Sequence, residues 1–287
     1  VDKVNFRAMK ALFKKEYRDT IRNRWLIILI LVFLSLAIVV SYFGSSTTKG
    51  VGFHGVDDTV AGLISLISFL VPIVGVMLGH SSITKEREQG SLEVIMSYPV
   101  NRTEIFLGKY FALGSVLFTA IFIGFGGAGI IIALGSKAGI NLPHYLLFLL
   151  ATFLIGLIFL GISMLVSVAT RKRSAAIAGG VFIWFFFTMI IGLILIGVYT
   201  AMGGDYQTFF SSGEVTGSEW IWKAMFFSPL DTYQMHIMLI YGIKSFFGFE
   251  TPAIPGYINF WTTLAGIATW AFIPPVIAMT IFKKKDM

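Results

Sequence analysis

Read for the spacing of apolar and charged positions, the 287 residues fall into six long stretches without Asp, Glu, Lys or Arg, at 25–44, 59–84, 110–136, 138–170, 174–204 and 251–282. A bilayer core takes about 20 apolar residues per helical crossing, and each stretch reaches that length with a centre rich in Leu, Ile, Phe and Val. A transmembrane barrel would show segments of about 10 residues alternating in polarity, a pattern missing from this sequence. The pattern predicts an all-α polytopic membrane protein, a single transmembrane domain over 1–287 with spans at about 25–44, 59–83, 110–135, 146–170, 175–201 and 258–282.

Composition agrees. The chain is 56% hydrophobic and only 13% charged, with a mean hydropathy of +0.83, whereas soluble domains carry about 25% charged residues. More than twenty charged and amphipathic residues precede the first apolar run, so no cleavable signal peptide is expected. Cysteine is absent, which removes disulfides and thiolate metal sites.

Charge then orients the spans. The segments 1–24, 85–109, 171–173 and 283–285 hold 18 of the 22 Lys and Arg residues, and the opposite side has only Lys49, Lys137, Lys223 and Lys244. Because cytoplasmic loops hold the basic excess, both termini are expected in the cytoplasm of a cell-membrane protein. The net charge of +7 then needs no nucleic acid. In the first 24 residues Phe6, Met9, Phe13, Tyr17 and Ile21 recur near one helical face, with Lys10, Lys14, Lys15, Arg18 and Arg22 largely elsewhere. That pattern predicts an amphipathic helix lying in the inner interface; a plain polybasic anchor is the alternative. In the outer connection, 203–250, Ser228-Pro229-Leu230-Asp231 has the form of a helix start. It opens a helix at about 229–243, too short to span.

Eight of the 37 charged residues crowd into 83–110, between spans two and three. Gly90 and Pro99 bracket a short segment that Ser91 could cap, with Leu92, Ile95 and Met96 on one face. So short a helix is marginal in water and needs a docking surface, and i, i+3, i+4 apolar anchors suit helix-in-groove recognition. Ahead of it, Lys85-Glu86-Arg87-Glu88 is expected to continue span two out of the membrane as one helix whose charges meet a polar partner. An ordinary charged loop is the competing reading.

The order Glu86-Arg87-Glu88, Gly90-Ser91-Leu92-Glu93, Ser97-Tyr98-Pro99-Val100-Asn101-Arg102 and Ile105-Phe106-Leu107-Gly108-Lys109 resembles the permeases of the ABC-2 family, as does Phe227-Ser228-Pro229-Leu230-Asp231-Thr232-Tyr233 between spans five and six. Loop order, span count and the early Arg22-Asn23-Arg24-Trp25 resemble its nitrous oxide reductase maturation subgroup. The resemblance implies an exporter permease that dimerises with an identical copy and engages two separate cytoplasmic ATPase subunits, which bind the ATP and Mg; this chain binds no cofactor. It makes 84–109 the coupling loop, with contacts from Glu86, Arg87, Glu88, Gly90, Leu92, Glu93, Ile95, Met96 and Pro99. An outer accessory protein is left open. In keeping with a separate ATPase, the sequence has no GxxxxGK[ST] phosphate loop, the nearest fragment being Gly135-Ser136-Lys137.

Ionisable groups inside spans mark proton relays and ion sites, and the six runs contain no Asp, Glu, Lys or Arg. That disfavours a proton-coupled secondary transporter, which with a structural membrane subunit is the alternative class. No HExxH, paired intramembrane carboxylates or Ser/His arrangement supports an enzyme. Ser65, Ser68 and Thr188 are candidates for an uncharged path, though hydroxyls in membrane helices more often bond neighbouring helices. The cargo would be hydrophobic or amphipathic, or, as the subgroup implies, sulfur- or copper-related. Met235, His236 and Met238 are the residues that suit copper, with packing on an amphipathic helix as the commoner use of such methionines.

Overall fold

In the computed structural model the described residues are 5–43, 56–135, 141–204, 219–243, 245–246, 249–250 and 254–284. Within them the chain forms α1 (Phe6–Arg22), α2 (Trp25–Phe43), α3 (Val56–Gly79), α4 (Thr84–Glu88), α5 (Ser91–Met96), α6 (Arg102–Gly135), α7 (Leu142–Ala169) and α8 (Arg173–Phe185). A π-helical turn, Phe186–Ile190, joins α8 to α9 (Ile191–Ala201); α10 (Glu219–Met225), α11 (Pro229–Tyr241), a two-residue hairpin of β1 (Ser245–Phe246) and β2 (Phe249–Glu250), and α12 (Phe260–Lys284) follow. Six helical stretches are long and apolar enough to cross a membrane, so the chain is a multi-pass membrane protein.

The bundle is organised around α7. Two-thirds of its apolar window is buried, against none for the α8–α9 span, and α3, α6, α11 and α12 all pack on it. Small residues permit the closest approach. A Cβ at Gly75 would lie 2.8 Å from the Gly156 carbonyl oxygen, and one at Gly79 2.9 Å from that of Leu160. Gly75 and Gly79 are thus the small pair of a GxxxG seam, which lets two backbones touch where lipid supplies no hydrophobic drive. Ser163 fastens the seam by donating to the Val76 carbonyl at 2.9 Å. Across the bundle, α2 packs on α6 through Gly124 and the stacked Phe33–Phe125 pair, centroids 4.9 Å apart.

The structure corrects the expected continuous exit of span two. α3 stops at Gly79, and α4 begins only at Thr84. The reason is a side chain 84 residues away: Ser167 Oγ accepts from the N–H groups of both Ile83 and Thr84, at 3.2 Å each, so a new helix starts there with its free donors satisfied. α6 begins at Arg102, where Asn101-Arg102-Thr103-Glu104 has the form of a helix start, and runs on into the third span expected from about 110. Its 34 residues extend about 51 Å at 1.5 Å per residue, longer than a hydrocarbon core of about 30 Å. The helix therefore extends beyond the apolar layer.

The helix expected at 229–243 is present as Pro229–Tyr241. The Ser228 hydroxyl accepts from Asp231 N–H at 3.2 Å, and Gly242 ends the helix at φ 61°. It wedges between α3, α7 and α12 rather than lying free: Tyr233 meets Thr152 at 3.2 Å, and Gln234 donates to Ser68 at 3.1 Å. The short α10 and the hairpin had no sequence expectation. Lys49, His54, Lys137 and Lys244 lie outside the described residues.

Candidate functional site at the basic end

The basic end of the bundle gathers α1, α4, α5 and the start of α6, and their geometry is set by α6. Asn101 and Glu104 open that helix: Asn101 N–H donates to Glu104 Oε2 at 3.0 Å, the reciprocal half of a capping box. The same buried carboxylate accepts from Asn5 N–H, where α1 begins. One turn further on, Gly108 lets α1 approach until an added Cβ would sit 2.9 Å from Leu12 Cβ. At the next residue, Lys109 Nζ lies 2.8 Å from Glu16 of α1 and 2.9 Å from Glu86 of α4, with its side chain only 4% exposed. α1 is thus held along α6 at Asn5, Leu12 and Glu16. Phe13 and Tyr17 stack on one another, and Tyr17 packs against the core of the bundle.

The Glu86-Arg87-Glu88 run was expected to meet a partner. All three side chains brace the chain itself. Glu86 takes Lys109 and, at 3.7 Å, Lys15. Arg87 donates to the Thr170 carbonyl at 2.7 Å, where α7 ends, and Glu88 accepts from Arg173 N–H at 2.6 Å, where α8 begins. Arg102 adds a fourth tie, donating to the Phe282 carbonyl of α12 at 3.1 Å. Contiguous charges therefore fix α4 against four other helices. Lys109 and Glu16 were not among the sequence candidates, because only the tertiary fold brings them to Glu86.

The anchors of α5 likewise pack within the chain. Leu92 is fully buried among Ile83, Ile105, Phe106, Met164 and Phe282, and half-buried Ile95 and Met96 pack on the same cluster. The groove they fill belongs to this chain. Burying the Leu92 side chain stabilises the docked helix by about 1.5–3 kcal/mol, enough to hold a six-residue helix that is marginal alone. The face left outward carries Glu93, Val94, Ser97, Tyr98 and Pro99, with Val94 61% and Tyr98 66% exposed. Gly90, also exposed, takes φ 67° to start the helix, and Ser91 turns its hydroxyl back to the Glu86 carbonyl instead of capping. Val94 and Tyr98 lie off the i, i+3, i+4 stripe. Val94 on the helix and Tyr98 in the turn just after it, apolar positions off that stripe, were the available signal.

The candidate path residues are not brought into one site. Ser68 is buried and bonded to Gln234, Ser65 is half-buried with a partner of its own, and Thr188 donates to Trp184 of its own helix at 2.7 Å. At the opposite end Met235 and Met238 are buried as packing. His236 pairs with Thr263 Oγ1 at 2.9 Å, and burial lowers its imidazole to about 4, so it is neutral at physiological pH. Among the described residues, no three His, Asp or Glu side chains converge as a metal site would need.

Asp231, on the same helix, has a buried Oδ2 without a hydrogen-bond partner. Burial raises its carboxyl from 3.8 to about 6, against the opposing bond from Ser228. A folded-state value above the unfolded one means that stability is fully present below about pH 4 and is lost as pH rises through about 6, by up to about 3 kcal/mol. Asp231→Asn, neutral throughout, is expected to melt higher than wild type at pH 7.5, by a margin that about halves at pH 5 and closes below about pH 4. Circular dichroism melting in detergent checks this; parallel pH profiles for the two proteins would refute it.

Comparison with known proteins places this geometry in a family. Residues 10–287 match the family described as ABC-2 family transporter protein. The chain is 29% identical over 285 residues to the probable ABC transporter permease protein NosY of Pseudomonas aeruginosa, covering 96% of this chain and 97% of that one. It is 32% identical over 197 residues to the protein of the same description from Stutzerimonas stutzeri, covering 68% and 71%.

Proposed function

We propose, since this chain belongs to the ABC-2 transporter family, that it couples ATP hydrolysis on a separate cytoplasmic subunit to outward movement of a cargo through the membrane. Membership makes the chain a permease subunit and implies the ATPase partner. The observation that carries the reading is the two-sidedness of α5. Leu92 locks it into the permease core, while Val94 and Tyr98 project from the other face. Exposed aromatic and aliphatic anchors on a rigid support are what a protein partner buries at the centre of an interface. Force applied there reaches span two through α4, and spans three to six through Lys109, Thr170, Arg173 and the Phe282 carbonyl.

Two copies of the permease, with both termini cytoplasmic, present two such helices to two ATPases. The cargo is uncharged or amphipathic, because the charged side chains of the described spans collect at their ends and the interior offers hydroxyls and aromatic rings. Val94→Asp combined with Tyr98→Asp is expected to cut copurification of the ATPase at least tenfold, since a charge buried at an interface costs several kcal/mol. Its melting temperature should match wild type. Leu92→Asp should instead lower the melting temperature, because that side chain points into the permease. Full retention of the ATPase by the Val94/Tyr98 variant would overturn this docking face.

A further inference from the structure

Beside the Lys109 triad the bundle encloses a cavity of about 390 Å³, walled by α1, α2, α3, α4 and α6. Its walls differ chemically. Leu29, Val74, Met77 and Leu113 supply an apolar side, and polar and charged residues, among them Lys15, Asp19, Ser82, Lys85 and Glu86, supply the rest. Leu29 lies four residues inside the start of α2 and Val74 five residues before the end of α3, so the apolar side runs about 6–8 Å into the bundle. Trp25 and Met77 also line it and are 44% and 48% exposed, which opens this side laterally. An interfacial tryptophan marks headgroup depth.

Two polar atoms in the lining are unsatisfied. Ser82, 7% exposed, has a buried Oγ without a partner, and so does Glu86 at Oε2, its Oε1 being engaged by Lys109 and Lys15. Leaving such groups buried and unpaired is costly, most of all for a charged one. A free carboxylate oxygen calls for a hydrogen-bond donor, best a cationic one. At the mouth the exposed side chains of Lys85 and Arg173 call for an anion. We propose that this cavity binds an amine-bearing phospholipid from the leaflet at the basic end: its ammonium donates to Glu86 Oε2 and Ser82 Oγ, its phosphate meets Lys85 and Arg173, and an acyl chain follows Leu29, Val74 and Met77.

The geometry separates lipids by donor chemistry. Phosphatidylethanolamine offers N–H donors and a phosphate; phosphatidylcholine keeps both charges but has no N–H; phosphatidylglycerol keeps the phosphate and loses the cation. The purified full chain, delipidated and exchanged into mixed micelles holding the three in equal amounts, is examined by native mass spectrometry for retained lipid. Phosphatidylethanolamine should be retained about tenfold over either competitor. Glu86→Gln should remove most of its advantage over phosphatidylcholine. Because Glu86 also holds Lys109, a second variant guards against misfolding: Met77→Trp fills the lateral opening, and should lower retention about fivefold at unchanged melting temperature. Equal retention of the three lipids, stronger retention of phosphatidylglycerol, or wild-type retention by Met77→Trp would each overturn the assignment.

Discussion

Lys109→Met is expected to destabilise the basic end by about 3–5 kcal/mol, the cost of breaking a buried ion group by removing one partner. In the wild type a 4%-exposed ammonium lies between two carboxylates, at 2.8 and 2.9 Å. Without it Glu16 and Glu86 face each other with only Lys15, at 3.7 Å from Glu86 and half exposed, as a substitute. At about 2–4 °C per kcal/mol for a chain of this size, the melting temperature should fall by roughly 10 °C. The triple variant Lys109→Met, Glu16→Gln, Glu86→Gln separates charge from shape. Replacing a buried ion group with neutral residues of similar volume is often tolerated, so it should recover most of the loss. If α1 and α4 transmit force through this group, ATPase stimulation by the permease should remain low even in the stable triple variant. A single variant that melts as wild type would show that the three charges carry no structural weight.

Gly75→Leu is expected to prevent folding altogether. The smallest side-chain atom already meets the Gly156 oxygen at 2.8 Å and the Leu160 nitrogen at 3.1 Å. These are backbone atoms of the most buried helix, which cannot rotate away as a side chain would. α3 would have to lift from α7, breaking the Ser163 bond to Val76 and the Ser167 bonds that start α4. Ordinary overpacking costs about 1–3 kcal/mol; separating a whole helical seam goes beyond it. Gly197, around which an added Cβ would meet nothing within 4 Å, provides the control. Gly197→Ala should be neutral or more stable by roughly 0.5–1 kcal/mol. Size-exclusion profiles of detergent extracts distinguish the two, and a monodisperse Gly75→Leu protein would contradict the close seam.

The contrast between what periodicity reveals and what it hides follows from range. Six spans, an amphipathic first helix and the Ser228 start of α11 depend on residues within a few turns of one another, and each was legible. The break at residues 80–83 was not, because its cause is Ser167 on another helix. The α5 stripe was legible as a stripe but not as a direction. Leu92, Ile95 and Met96 would face a groove in either case, and only the assembled bundle shows that the groove is made by Phe106, Met164 and Phe282 of the same chain. Likewise Glu86-Arg87-Glu88 is visibly a charge run, yet its partners sit 71–85 residues away or, for Lys109, 23. A charged loop beside a membrane looks the same whether it grips a stranger or its own framework.

The π turn at Phe186–Ile190 leaves the fifth crossing with an adjustable twist. It lies about midway along the 29-residue stretch Arg173–Ala201, none of whose apolar window is buried in the chain. A π turn carries one residue more than an α turn. Relaxing that surplus along the helix swings everything beyond it by about 100°, one residue of α-helical rotation, while α8 stays latched to α3 by the Trp184 bond to the Phe69 carbonyl. The half of this crossing beyond the turn can therefore present a different row of side chains to its surroundings without any helix melting.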